Sequence, residues 1–149
     1  HYGVDYLKAG QYFSVEDVKA VEKSQGTPIR EGDVVLFHTG WTDAMLESDP
    51  IAWATAEPGQ SEEVAAYIAS KKVVAVGADT WGLDVIPSQV AERPYHGHVI
   101  YLKENGIYIF EAMNTGPLIR DEAYEFLFVL GQAKVRGAVQ MIINPIAIR

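Results

Sequence analysis

Three short runs in which every residue is apolar or aromatic constrain this chain most: Val34-Val35-Leu36-Phe37, Val73-Val74-Ala75-Val76 and Ile107-Tyr108-Ile109-Phe110. A strand with one wet face alternates apolar and polar residues, so runs without alternation read as strands buried inside a sheet. Helix signals stand between and before them. Ser14 lies three residues ahead of Asp17, Val15, Val18 and Val21 recur at helical spacing, and Gly26-Thr27-Pro28 ends the segment. Ser61 can cap a second helix, with Glu62 and Glu63 in its first turn, Val64, Tyr67 and Ile68 inward, and Lys71-Lys72 at its end. A third, short helix is expected between His98 and Asn105, stopped by Gly106 in the left-handed conformation. Tyr124–Leu130 and Val139–Ile148 read as two further strands, and the stretches 40–59 and 79–94 as irregular excursions above strand ends. The expected fold is α/β (α+β), a mixed sheet covered by helices, in one domain over residues 1–149.

Composition removes several functional classes. Twelve Lys and Arg against 20 Asp and Glu give a net charge of -8, which repels polyanions, so nucleic acid is not an expected partner. An apolar fraction of 48% with 21% charged residues fits a globular domain and not a membrane protein, and a cytoplasmic location is the expectation. Without cysteine there are no disulfides, thiolate nucleophiles or Cys-ligated zinc, leaving chemistry to His, carboxylates and hydroxyls. Neither a G-x-G-x-x-G nor a G-x-x-x-x-G-K-[ST] loop occurs, and no serine sits in a G-x-S-x-G elbow. Nucleotide phosphate cradles and serine hydrolases therefore drop out.

Four histidines carry any imidazole chemistry: His1, His38, His96 and His98. His1 is terminal, and His38 reads as a structural residue inside a strand. His96 and His98 flank Gly97, and on an extended segment both rings would point to one side, as metal ligands or as polar residues of a surface loop. Glu111 directly follows the apolar run 107–110 and would be costly in a core unless a cation met it. Asp79 reads as a turn residue bonding amides in the Asp79-Thr80-Trp81-Gly82 loop. Trp41, Trp53 and Trp81 are either core packing or walls for a planar ligand.

Gly32-Asp33-Val34-Val35-Leu36 leading to Thr39-Gly40-Trp41, then Val74-Ala75-Val76-Gly77-Ala78-Asp79-Thr80, then His98 through Asn105-Gly106-Ile107-Tyr108-Ile109 to Glu111, resemble the cyclase family in order and spacing. That family includes kynurenine formamidase and isatin hydrolase, metal-dependent enzymes that open amides and cyclic amides. The resemblance implies a swivelling β/β/α domain, a small-molecule amide substrate, and zinc or manganese as cofactor. Members carry an early H-x-G-T-H-x-D-x-P-x-H segment that supplies most ligands and a histidine base, followed by a late His and a late Glu. Only the late pair has counterparts here, His98 and Glu111, which the resemblance makes metal ligands. Near the end, Met141 and Asn144 stand where the family commonly has Ser and Arg. The chain opens on His1 without a leader-like segment, and the N-terminal part of the family domain is expected to be missing. Two ligands are too few for hydrolysis, so activity is expected only if a companion N-terminal fragment or a second chain completes the site. A homo-oligomer is one route to that. The alternative is a metal-free relative that binds a small molecule or protein without catalysis.

Overall fold

The computed structural model describes residues 1–149. In chain order the elements are β1 (Tyr12–Phe13), α1 (Val15–Gln25), β2 (Val34–Phe37), α2 (Trp41–Met45), α3 (Pro50–Thr55), β3 (Gly59–Gln60), α4 (Glu62–Ser70) and β4 (Ala75–Ala78). There follow α5 (His96–His98), continued by a π-helix (Val99–Asn105), then β5 (Tyr108–Phe110), α6 (Gly116–Arg120), β6 (Leu127–Val129) and β7 (Ile146–Ile148). The expected mixed α+β architecture is present.

The three apolar runs build one parallel sheet in the order β2-β4-β5, with Val35 opposite Val76 and Val76 opposite Ile109. β4 is central and buried at all four residues, whereas β2 is half-buried throughout and β5 exposes Tyr108, so the expected burial holds for the central strand and not for the two that pair on one side only. The structure shifts β4 forward from the expected 73–76, because Gly77 and Ala78 also pair with Leu36 and Phe37. One core unites the sheet with the helices: Leu7, Val18, Val64, Ile68, Val76, Leu83, Ile100, Tyr101 and Ile107 all belong to it.

Both expected caps form. Ser14 Oγ accepts the Asp17 amide while the Asp17 carboxylate accepts the Ser14 amide, and Ser61 Oγ accepts the Val64 amide. Gly106 closes the π-helix with φ at 66°, the left-handed turn expected of it. The excursion 40–59 is more ordered than expected. Asp49 caps α3, with Pro50 in its first turn, so short helices replace a loop. Of the two strands expected over 124–130 and 139–148, only residues 127–129 and 146–148 pair, as an antiparallel ribbon, and the stretch between them is largely irregular and exposed. β-branched content there overstated the strands, because few neighbours exist for them to pair with. No helix is long and apolar enough to cross a membrane.

Candidate functional site

In open parallel sheets the crevice at the carboxyl ends of the strands collects functional groups. Here His38 and Thr39 follow β2, Asp79 and Thr80 follow β4, and Glu111 follows β5, so all three strands deliver polar residues to that edge. α5 brings His98 to Glu111, with His98 Nε2 3.1 Å from Glu111 Oε1. On its other side, His98 Nδ1 lies 3.0 Å from Asp84 Oδ2. Asp84 is itself buried and accepts Gln60 Nε2 through Oδ1 at 2.9 Å, while Gln60 Oε1 accepts the Tyr101 hydroxyl at 2.7 Å. Five side chains thus form one line from the core to the sheet edge. Gly97 is required beneath it, since a Cβ at that position would collide with the Asp84 carboxylate.

The electrostatics follow from this packing. Burial alone would push the His98 pKa down, but the hydrogen bonds and charges of Asp84 and Glu111 outweigh it and raise it to about 9. Glu57 is fully buried beside the same group: its Oε2 accepts the Trp81 amide at 2.8 Å, and its Oε1 has no hydrogen-bond partner. Burial is the main reason its pKa rises to about 8; the Trp81 and Gly82 amides oppose the rise, and the charges of Glu111 and Asp84 add to it. Tyr95 packs edge-on to His98 with ring centres 5.7 Å apart, and burial and the neighbouring carboxylates push its hydroxyl pKa up.

His98 and Glu111 therefore meet as expected, whereas the reading of His96 and His98 as a same-side pair fails. They sit on a helical turn rather than an extended segment, and His96 turns to Glu62 at 3.6 Å. His38 stands just beyond its strand, its Nδ1 2.8 Å from Thr115 Oγ1. Asp79 bonds not its own loop but Thr39, whose amide and hydroxyl reach Asp79 Oδ1 at 2.7 and 2.9 Å. His1 pairs with Asp17 at 2.9 Å. The tryptophans knit the excursions together: Trp41 is buried, Trp53 Nε1 donates to Thr42 Oγ1, and Trp81 Nε1 donates to the Trp53 carbonyl. A cavity of about 510 Å³ opens beside Glu111, lined by Leu36, Thr115, Leu118, Phe128 and Asn144 among others, with no tryptophan. Sequence reasoning missed Asp84, Glu57, Gln60 and Tyr101. Their one visible signal was that acids and an amide interrupt otherwise apolar or Gly-Pro-rich segments.

As a candidate cation site, the pair fits in part. Two ligands at zinc's usual bond lengths in a tetrahedron stand about 3.3 Å apart, close to the His98–Glu111 separation. A carboxylate on the second imidazole nitrogen is the usual orienting partner of a metal-bound histidine, and Asp84 has that position. Yet no group of three or more His, Asp or Glu is arranged to hold a cation. The chain thus offers two donors with an orienting partner.

A parallel-sheet α+β domain with a histidine and carboxylates gathered at its carboxyl edge is the class of protein described so far. The family model Cyclase, described as "Putative cyclase", matches residues 4–85, more than half of the chain, and the chain belongs to that family. A crystal structure of a novel cyclase is similar to it with a TM-score of 0.79 and 24% identity, over 97% of this chain and 48% of that one. That likeness establishes the fold, and the chain spans about half the length of the solved protein. No curated protein matches the chain.

Proposed function

We propose that this chain carries part of the active site of a metal-dependent hydrolase of amide or cyclic amide bonds. His98 and Glu111 would hold zinc or manganese together with donors from a further polypeptide segment or a second chain. The observation that carries this reading is the convergence of His98 Nε2 and Glu111 Oε1 at 3.1 Å with Asp84 on the far nitrogen. When bound, such a cation acidifies a water and polarises a carbonyl oxygen.

The remaining chemistry belongs to the chain's own residues. Asp84 accepts the Nδ1 proton, which leaves Nε2 as the coordinating nitrogen and fixes the ring plane. Glu57 lies fully buried next to the site, and its burial pushes its pKa up to about 8. The cavity beside Glu111 is large enough for a small amide and offers Leu36, Leu118 and Phe128 as apolar walls. The chain purified together with the segment or second chain that completes its donor set tests the reading through bound zinc and manganese by elemental analysis, and through hydrolysis of an N-formyl arylamine and a cyclic amide. His98→Ala and Glu111→Gln are expected to abolish both metal retention and hydrolysis. Metal retained in full by both variants would overturn it.

A metal-free binding role is the second reading, favoured by the donor set of only two. It predicts saturable binding of a small amide that is insensitive to chelator and to His98→Ala.

A further inference from the structure

The wall of the cavity beside Glu111 comes mainly from two segments, 111–121 and 143–149, with Leu36 and Phe128. Its volume of about 510 Å³ and its apolar side chains suit a ligand built on a ring or a branched chain. Most of its polar side chains are already committed to other residues. Glu111 Oε1 faces His98 Nε2 at 3.1 Å, Thr115 Oγ1 stands 2.8 Å from His38 Nδ1, and the Arg149 guanidinium is ion-paired with the Asp121 carboxylate. Asn114 and Asn144 stand outside these pairings and complete the polar wall. Asn114 lies on the Glu111 loop itself, whereas Asn144 comes from the other segment, as it leads into β7.

Charge decides what such a wall accepts. Two carboxylates, Glu111 and Asp121, line it against one guanidinium, Arg149, which Asp121 already holds. A carboxylate carried into the cavity by a ligand loses its water and meets no free cation in exchange. A neutral hydroxyl or carboxamide needs only a donor and an acceptor, and the amide of an asparagine offers both. A cation held by His98 and Glu111 changes the Glu111 side of the wall and leaves Asn144 as it is.

We propose that this cavity takes an uncharged amide, whose ring or branched chain bears a hydroxyl or carboxamide away from the Glu111 side, and that Asn144 selects it by hydrogen-bonding that group. Selection works by exclusion as much as by attraction, since a carboxylate at the same place is left unpaired. The inference deepens the hydrolase reading and takes from it the amide portion of the ligand. It is read from binding alone, so the two can fail separately.

Three probes that differ only in the group opposite their formamide test it: formanilide, 4-formamidobenzamide and 4-formamidobenzoate. Isothermal titration calorimetry on the same preparation, at neutral pH with chelator present, is expected to show 4-formamidobenzamide binding about tenfold more tightly than 4-formamidobenzoate. Formanilide should fall below the carboxamide. Asn144 is exposed, so its replacement should leave the circular dichroism spectrum unchanged. Asn144→Ala is expected to reduce 4-formamidobenzamide to the level of formanilide without altering formanilide itself. Asn144→Arg is expected to reverse the order of carboxamide and carboxylate. A carboxylate that binds the wild type as tightly as the carboxamide would overturn the proposal. So would a preference that survives Asn144→Ala, or no saturable binding of any probe at millimolar concentration. The expected binding order without metal retention or hydrolysis would instead count against the hydrolase reading alone.

Discussion

Glu57 shows how one residue acquires its chemistry from its surroundings. In sequence it is an unremarked acid before Pro58-Gly59; folded, it is fully buried with one oxygen unpartnered and two other carboxylates close by. A carboxyl whose pKa rises from 4.5 to about 8 on folding favours the folded state only while protonated. Its contribution is whole below pH 4.5 and is withdrawn as the pH climbs to about 8. His98, raised from 6.5 to about 9, acts with the same sign, its share being whole below pH 6.5 and lost as the pH climbs through about 9. Chelator-treated protein is therefore expected to show a lower urea midpoint at mildly alkaline than at mildly acidic pH. Glu57→Gln should flatten that slope in part, leaving the His98 share. An unchanged slope in the variant would show that Glu57 is ionised throughout. His98 teaches the complementary lesson. Its pairing with Glu111 followed from the family resemblance, but Asp84 was not foreseen, because it comes from a loop 14 residues earlier that only the α5 turn brings alongside.

At the scale of elements, local signals were read well where the physics is local. Ser14 and Ser61 cap the helices they precede because a hydroxyl can reach an amide three residues on in any context. Ser14→Ala should remove the hydroxyl half of the α1 capping box and cost about 1 kcal/mol, lowering the melting temperature by about 3 °C. Scanning calorimetry checks this, and no shift would mean that α1 is held by packing alone. The strands were read less well at their bounds. β4 runs on through Gly77, paired on both sides, and Ala78, paired with Phe37, a fact about neighbours rather than about its own residues. The segment 139–145 fails for the opposite reason, since β-branched residues without a partner strand remain irregular.

Across the whole molecule the body and the ribbon are unequally secured. The body has a continuous core from Leu7 to Ile107, while the ribbon is held to it by the Phe110–Phe128 stack and the Arg149–Asp121 ion pair. Phe128→Ala is accordingly expected to speed hydrogen exchange at residues 127–129 and 146–148 and leave β4 amides unchanged; equal acceleration in both would show a single cooperative unit. The sequence by itself determined the three strands and the capped helices, since apolar runs and capping hydroxyls act over a few positions, while His98 and Glu111 were paired only by the family resemblance. Only the tertiary structure decided that the strands run parallel with their carboxyl ends at one edge, and that Asp84 and Glu57 join the site there. It alone also decided that Asn144 lines the cavity beside Glu111. Burial and pairing are made between segments far apart in the chain, and no local pattern encodes which segments will meet.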